Sequence, residues 1–167
     1  MHNAVVDTGP LLHLYEIDNL EMITAVFSTI HLPESVVREI NNEPILQFIR
    51  KNTVQITVNS VSEPDLFATK EKYSLFQLHL ADLAVLTLLG IIDDALGVTD
   101  DLALRRAIES NGRTVVGTIG ILFRAYKQGI IDKLRLSTLI NMVFDDSTLY
   151  LNSAFMSRVL GMVDSAE

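Results

Sequence analysis

The amino-acid sequence predicts a three-layer α/β/α sandwich with a central, mostly parallel sheet. Short runs rich in β-branched residues alternate along the chain with segments whose apolar residues recur at helical spacing. Strands that are regularly separated by helices are typical of a parallel sheet covered on both faces. The chain has 167 residues, of which 49% are hydrophobic and 20% charged, so it is long enough to bury a core as a single domain spanning 1–167.

The first half of the sequence contains three predicted strands. Ala4–Asp7 is an apolar run that ends in an acid, and the following Thr8–Pro10 starts a helix that extends through Ile17, since proline is favoured in a first helical turn. The next predicted elements are a short helix at 20–27, a strand at 29–32, a helix from Pro33 over PESVVREI, a helix from Pro44 over ILQFIRK, and a strand with period-two alternation at 54–58.

The second half continues the same alternation. The polar segment Ser60–Tyr73 predicts a helix, and His79–Leu89 has a strong helical period. The remaining predicted elements are a strand at 95–99, a helix at 102–111 that Asn111-Gly112 stops, a strand at 114–116, a helix at 117–127, and a helix from 130 to about 144. The segment from about 136 to 167 is predicted to be a helical extension that packs on the core or on a second subunit, and the core is favoured.

The net charge and the residue types exclude several classes of protein. A formal charge of −8 argues against a generally basic nucleic-acid-binding surface, although a metal-dependent enzyme can concentrate acids where cations bind. The sequence has no cysteine, which excludes disulfides and thiolate ligands and is compatible with a reducing cytoplasm. The most apolar segment, 78–98, is interrupted by three aspartates, and no basic leader precedes an apolar block, so a soluble, cytoplasmic protein is predicted.

Acidic residues follow two of the predicted strands. Asp7 ends the first strand, and Asp100 and Asp101 follow the strand at 95–99. Ligand sites in parallel sheets form beyond the carboxyl ends of the strands, so these acids are candidate site residues. Glu39 and Asp82 lie on predicted helices beside apolar stretches that should face the sheet. Several carboxylates in one pocket would raise each other's pKa values unless a divalent cation were present.

Most of these acids also have a simpler interpretation. Asp7, and one of Asp100 and Asp101, would serve as helix N-caps, and Glu39 alone is typical of a solvated helix residue. Asp82 is different, because LHLADLAVLTLL is apolar on nearly every side. Its carboxylate should therefore be buried, paired or bound to a ligand.

Other catalytic motifs are excluded by their context. Asp7–Gly9 has the D-T-G triplet of an aspartic protease half-site, but that triplet belongs to an all-β framework, whereas this sequence is rich in helices. The four histidines form no HxxxH or HExxH pair and are predicted to be surface or structural residues. The sequence contains no Walker loop, GxGxxG or GxSxG.

Four segments occur in the order and at the separations of a known family. VVDTGPLL, PESVVREI, LADLAVL and VTDDLALRRA together resemble the acidic motifs of the PIN-domain family. The later VVGTIGILFRAYKQGII is similar to a stretch in a subgroup of small prokaryotic PIN proteins. The resemblance covers about residues 3–135. One position departs from that subgroup, whose members often carry a second acid where this sequence has Leu80.

The resemblance implies a metal-dependent ribonuclease that hydrolyses single-stranded RNA to 5′-phosphate and 3′-hydroxyl products. The residues that match the family's catalytic and metal-binding positions are Asp7, Glu39, Asp82, Asp100 and Asp101, with Thr8 and Thr99 in supporting positions. The implied cofactor is Mg²⁺ or Mn²⁺, which prefer oxygen ligands. Many relatives of this size are toxins that form homodimers and are held by a small antitoxin protein, so these partners are implied as well.

Two assignments and the function itself have open alternatives. Either Asp100 or Asp101 is the direct metal ligand of the adjacent pair. Arg105 follows the last acidic motif and is a candidate RNA contact. The other basic residues near it are interpreted as ordinary solvated residues: Arg106, Arg113, Arg124 and Lys127. The alternative functions are a catalytically degenerate PIN-fold module that binds RNA or protein, which the missing second acid favours, and a metal-dependent phosphatase.

Overall fold

Within residues 2–165, the part of the chain that the computed structural model describes, five parallel strands form the centre of the molecule. The strands are β1 (His2–Val6), β2 (Phe27–Pro33), β3 (Ile56–Asn59), β4 (Leu96–Val98) and β5 (Val115–Val116). They are hydrogen-bonded in the order β3-β2-β1-β4-β5, and every neighbouring pair is parallel. The predicted parallel sheet is therefore confirmed.

The order of the strands reverses between β1 and β4. The chain passes from β1 through β2 to β3 on one side of the sheet and then places β4 and β5 on the other side. Ala4 pairs with Ile30 of β2 and with Leu96 of β4, so β1 is the central strand. Such a switch point opens a crevice beyond the carboxyl ends of the two strands, which here end at Val6 and Val98.

Ten helices in the described residues connect and flank the strands. Their bounds are α1 (Thr8–Glu16), α2 (Met22–Val26), α3 (Glu34–Glu39), α4 (Glu43–Lys51), α5 (Glu63–Lys72), α6 (Leu80–Ile91), α7 (Leu102–Ser110), α8 (Thr118–Lys127), α9 (Lys133–Asp146) and α10 (Ser153–Asp164). Six of them begin after a polar residue whose side chain accepts a backbone N–H of the first turn, which fixes where the helix starts. These N-caps are Asp7, Asn42, Ser62, Asp101, Asp132 and Asn152.

Helices on the two faces of the sheet complete a three-layer α/β/α sandwich. Helix α6 packs on β1, β2 and β4, and α5 and α7 pack on α6, while α8 packs on β5 and contacts α1, α2 and α9. Every residue of α6 from Leu83 to Leu89 is buried, which explains why its sequence is apolar on nearly every side. In the described part of the chain, no helix is both long enough and apolar enough to cross a membrane.

The C-terminal helices contribute to the same core as the sheet. The buried apolar residues form one cluster that runs along the chain from Ala4 to Val163. Val159 and Val163 of α10 are each only 3% exposed, whereas Phe155 and Met162 of that helix remain 39% and 51% exposed. The favoured packing of this segment on the core therefore agrees with the structure.

Several predicted boundaries are shifted by one or more residues. The strand predicted at 54–58 begins only at Ile56, because Val54 lies in a turn and is 98% exposed. That turn is closed by the N–H of Gln55, which donates to the carbonyl of Asn52 over 2.9 Å. The helix predicted at 20–27 ends one residue early, since Phe27 is the first residue of β2. The alternation of strands and helices is unaffected.

A substitution at Gly97 tests how tightly β4 is packed between α6 and α7. A Cβ at this position would lie 2.7 Å from Cδ1 of Ile108 and 3.3 Å from Cδ1 of Leu89, and both side chains are buried. Gly97→Ala should therefore lower the free energy of unfolding by about 1–3 kcal/mol, because a packed core resists added volume. Urea unfolding followed by circular dichroism measures this change.

Gly90→Ala is the matched control. Gly90 lies on α6, and an added Cβ would meet nothing within 4 Å. Alanine should leave the stability unchanged or raise it by up to about 1 kcal/mol, because it favours the helix over the unfolded chain. Equal destabilisation by the two substitutions would contradict the tight packing around β4.

Candidate functional site

Asp7 lies at the carboxyl end of the central strand and is only 9% exposed. Its backbone N–H donates to the carbonyl of Val98 on β4 over 2.9 Å. Its Oδ1 accepts the N–H of Thr8 (2.7 Å), and its Oδ2 accepts the hydroxyl of Thr99 (2.8 Å). The carboxylate is therefore fixed at the switch point and is also the N-cap of α1, so the capping role that the sequence allowed is present.

Thr99 connects the acids that follow β1 and β4. Its side chain is fully buried, and its backbone N–H donates to the carbonyl of Val116 on β5 over 3.0 Å. The hydroxyl donates to Asp7 and at the same time accepts the N–H of Asp101 over 3.0 Å. The hydroxyl of Thr99 thus sets the position of Asp7 relative to the loop that carries Asp100 and Asp101.

Asp101 is the member of the adjacent pair that keeps a free carboxylate oxygen. It is exposed, and its Oδ1 accepts the N–H of Leu104 over 2.7 Å, which makes it the N-cap of α7. Its Oδ2 has no hydrogen-bond partner among the described residues. The expectation that one of the two acids caps the next helix is therefore confirmed, and the capping acid is Asp101.

Asp100 is hydrogen-bonded through both of its carboxylate oxygens. Its Oδ1 accepts the N–H of Thr118 at the start of α8 (2.8 Å), while its Oδ2 accepts the hydroxyl of Thr118 (2.5 Å) and lies 2.8 Å from Nδ1 of His13. Gly117 allows this approach, because a Cβ there would overlap Oδ1 of Asp100. With a side chain only 11% exposed, Asp100 ties the loop after β4 to α1 and α8.

His13 and Thr118 belong to this site, although neither is among the site residues predicted from the sequence. His13 is 8% exposed on α1, and Thr118 is fully buried at the start of α8. A signal for His13 exists in the sequence: it lies six residues after Asp7 among apolar neighbours, and a buried polar ring requires a partner. The partner is 87 residues away along the chain, so sequence patterns do not identify it.

Asp82 and Glu39 are supplied by two different helices. Asp82 is half-buried in the first turn of α6, where its Oδ2 accepts the N–H of His79 over 2.6 Å. The expectation that this carboxylate is buried, paired or bound to a ligand is met in part, because it is half-buried and hydrogen-bonded to the backbone. Glu39 is exposed as the last residue of α3 and has no hydrogen-bond partner within residues 2–165. Leu80 begins α6 and is 59% exposed.

Burial and neighbouring charges raise the pKa of two of these carboxyl groups. The pKa of Asp7 rises from 3.8 to about 6, chiefly because burial disfavours the charged form and further because Asp82 and Glu39 are negative. Hydrogen bonds from the two neighbouring threonines oppose this rise. The pKa of Asp82 is also raised, first by burial and then by the charge of Asp101. Four acids therefore act on one another electrostatically.

These four residues, which we call the acidic cluster, are Asp7, Glu39, Asp82 and Asp101. Their oxygens are the donor type that Mg²⁺ and Mn²⁺ prefer. The hydroxyl of Thr8 is buried next to Asp7 without a hydrogen-bond partner in the described residues, and such a group requires a polar partner. Within residues 2–165, however, no three His, Asp or Glu side chains are grouped closely enough to enclose a metal ion. The cluster therefore fits an ion that takes one or two carboxylates directly and keeps several waters.

Arg105 supports the loop that follows β4. Its Nη2 donates to the carbonyl of Thr99 over 3.1 Å, and its Nη1 lies 4.0 Å from Oε1 of Glu109. The side chain is 29% exposed, so part of the guanidinium reaches solvent. Arginine has five N–H donors, so the hydrogen bond to Thr99 leaves further donors of Arg105 available for a phosphate. The predicted contact of Arg105 with RNA stays a prediction.

Comparison with known protein families identifies a match that covers nearly the whole chain. A family model described as a PIN domain matches residues 3–165. The match extends beyond residue 135, where the resemblance of the motifs ends, and it includes α9 and α10. No curated protein matches the sequence significantly.

The pH dependence of stability tests the environment of Asp7. The pKa of Asp7 is about 6 in the folded protein and has an ordinary value of 3.8. Between pH 3.8 and about pH 6 this carboxyl group therefore binds a proton mainly in the folded state. Its contribution to stability is therefore fully present below about pH 4 and lost as the pH rises through about 6. The metal-free protein should gain stability from this group as the pH falls from 7.5 to 4, by an amount on the order of 3 kcal/mol.

Asp7→Asn should flatten this pH dependence, because the substituted side chain does not titrate. Thermal unfolding in EDTA at a series of pH values between 7.5 and 4 measures the difference between the variant and the wild type. Asp145→Asn replaces an exposed acid of α9 and should keep the slope of the wild type. Parallel curves for wild type and Asp7→Asn would show that the pKa of Asp7 is not raised.

Proposed function

Because this chain belongs to the PIN-domain family, we propose that it is a metal-dependent endoribonuclease that hydrolyses phosphodiester bonds of single-stranded RNA. PIN domains are generally nucleases and generally act with divalent metal ions, so the family supports the class of reaction. The observation that carries the proposal is the acidic cluster at the switch point, where Asp7 is buried and its acidic neighbours raise its pKa further. A divalent cation would relieve this repulsion.

The four acids of the acidic cluster are proposed to bind Mg²⁺ or Mn²⁺, one or two of them directly and the others through water molecules of the ion. The chemistry that such an ion supplies when bound is activation of a water molecule and polarisation of the phosphoryl group. Hydrolysis joins the water oxygen to phosphorus and breaks the bond between phosphorus and O3′, while a proton passes to the leaving oxygen. The products are then a 5′-phosphate and a 3′-hydroxyl.

Asp101, rather than Asp100, is proposed as the direct ligand of the adjacent pair. Asp101 caps α7 with one oxygen and keeps the other unpaired among the described residues, and its charge raises the pKa of Asp82. Asp100 is bonded through both oxygens to Thr118 of α8, and its Oδ2 also lies 2.8 Å from Nδ1 of His13 on α1. Because these contacts tie it to two other helices, it is proposed to position the loop that carries Asp101. The unpaired hydroxyl of Thr8 is proposed to contact a bound water or a phosphate oxygen.

Guidance of RNA to the acidic cluster requires local positive charge, since the chain has a net charge of −8. Arg105 is the proposed phosphate contact, because it is fixed to the carbonyl of Thr99 and is still partly exposed. A guanidinium held in place loses little conformational entropy when it binds phosphate. Single-stranded RNA is the proposed substrate because the family resemblance implies it.

The proposed biological setting follows from the family resemblance. It is a cytoplasmic toxin that acts as a homodimer and is held by a small antitoxin protein. A second candidate function is a degenerate PIN-fold module that binds RNA or protein without cutting. Two observations favour it: the exposed Leu80 stands where relatives often carry an acid, and residues 2–165 contain no close group of three metal-binding side chains.

Cleavage of end-labelled RNA distinguishes these functions. Purified protein should cut single-stranded RNA in Mn²⁺, should be inactive in EDTA, and should leave 5′-phosphate ends. Asp7→Asn should reduce the rate by about a hundredfold or more, since a charged group at the reacting centre contributes several kcal/mol. The exposed-acid variant Asp145→Asn should cut at the wild-type rate.

Three outcomes would reject the ribonuclease proposal. Equal cleavage by wild type and Asp7→Asn would indicate a contaminating nuclease. Hydrolysis of p-nitrophenyl phosphate without cleavage of RNA would indicate a phosphatase. Metal-independent RNA binding by the folded protein, with no cleavage, would indicate the degenerate module.

Asn substitutions separate the proposed roles of the adjacent acids. Asp101→Asn should weaken Mn²⁺ binding by roughly tenfold or more, equivalent to about 1.4 kcal/mol, because asparagine keeps the cap of α7 but removes the charge. Asp100→Asn should lower the melting temperature more than Asp101→Asn does, because its amide would face the hydroxyl of Thr118 and the ring of His13. Calorimetric titration with Mn²⁺ and thermal unfolding measure the two effects. The reverse order in both measurements would exchange the roles.

A further inference from the structure

A hollow of about 270 Å³ opens at the amino ends of β1, β4 and β5, at the opposite edge of the sheet from the acidic cluster. It is bordered by the first residues of two strands, His2 and Leu96, and by Thr114, which precedes β5. Three charged side chains also line this hollow, which we call the amino-end pocket: Arg113, Arg124 and Asp94.

The two arginines of the amino-end pocket lack acidic partners. Arg113 and Arg124 are half-buried, and neither forms an ion pair with another residue in 2–165. Arg38, Arg50 and Arg105 each lie within 4.0 Å of a glutamate, whereas Arg106, Arg135 and Arg158 also form no ion pair within residues 2–165. Arg113 and Arg124 differ from these three in lining the same hollow. The chain has 21 acidic and 13 basic residues and is therefore negatively charged as a whole. Two unpaired guanidinium groups at one hollow are a local concentration of positive charge. Such a pair attracts an anion.

A favourable interaction with a helix dipole accounts for the position of at most one of these arginines. Arg124 lies in the last turn of α8, where a positive charge is favourable because it opposes the helix dipole. Arg113 lies outside the helices, in the connection between α7 and β5, and has no such role. Arg113 and Arg124 line the same hollow, and two positive charges that approach each other repel unless an anion lies between them.

The backbone around the amino-end pocket is held firmly. Gly112 has a positive φ of 71°, which reverses the chain after α7. The N–H of Arg113 donates to the carbonyl of Ile108 over 3.3 Å, and the carbonyl of Thr114 accepts the N–H of Gly97 on β4 over 2.9 Å. Because Arg124 is anchored on α8, both guanidinium groups start from fixed backbone positions, and binding would cost little ordering of the chain.

We propose that the amino-end pocket binds the phosphate group of a phosphorylated sugar, free or as part of a nucleotide. Two guanidinium groups can donate paired hydrogen bonds to phosphate oxygens, and the exposed hydroxyl of Thr114 is a further donor. Asp94 also lines the pocket and would repel a bare phosphate ion, but its carboxylate accepts hydrogen bonds from sugar hydroxyls. This combination of charges favours a phosphate ester with hydroxyl groups over inorganic phosphate.

Calorimetric titration tests this site independently of nuclease activity. The full chain, in EDTA and at low salt, is titrated with inorganic phosphate, ribose 5-phosphate and adenosine 5′-monophosphate. The sugar phosphates should bind with one-to-one stoichiometry and more tightly than inorganic phosphate. The double variant R113Q/R124Q should bind at least tenfold more weakly, while R50Q, which changes an exposed arginine paired with Glu43, should bind like the wild type.

Comparison of the ligands identifies the preferred one, and a variant of Asp94 tests the role of its carboxylate. Similar affinity for ribose 5-phosphate and adenosine 5′-monophosphate would indicate a sugar phosphate pocket, and tighter binding of the nucleotide would indicate a base contact as well. Asp94→Asn should reduce the preference for sugar phosphates over inorganic phosphate. The proposal is wrong if the wild type binds neither sugar phosphate, or if R113Q/R124Q, with an unchanged melting temperature, binds them as tightly as the wild type.

Discussion

The hydroxyl of Thr99 is the contact on which the geometry of the acidic cluster depends. It donates to Asp7 after β1 and accepts from the backbone of Asp101 after β4, so it joins the two strand ends that form the switch point. Only a hydroxyl can donate and accept in this way within so small a volume. A methyl group in its place would leave an oxygen and an N–H without partners, at a cost of about 1–3 kcal/mol.

The apolar core holds this concentration of negative charge in place. Val6 and Val98, which precede Asp7 and Thr99, are fully buried, so the strands that anchor the core also carry Asp7 and Thr99 to its edge. Two of the acids are held in place, because Asp7 is hydrogen-bonded on both oxygens and Asp82 accepts the N–H of His79, the residue before α6. The raised pKa of Asp7 measures what this arrangement costs in the absence of a cation.

The sequence predicted the parts of the site that depend on local pattern and on the rule for parallel sheets. Period and turn signals located the strands before Asp7 and Asp100, and the carboxyl-end rule brought these residues together. The same signals failed at Val54, whose alternating neighbours match a strand although the residue lies in a turn. The partners of Asp100 were not predictable, because His13 and Thr118 reach it through the strand order, which no local pattern encodes.

The two ends of the sheet have opposite electrostatic character. Carboxylates gather where β1 and β4 end, and unpaired arginines lie where these strands begin. The five residues of β1 separate the two ends by about 3.3 Å each, or roughly 16 Å, which is about twice the Debye length of ~8 Å at physiological salt. Direct attraction between the two sites through solvent is therefore weak. An anion at the amino-end pocket would influence the acidic cluster only by shifting the strands themselves, and the close packing of Gly97 between Leu89 and Ile108 resists such a shift.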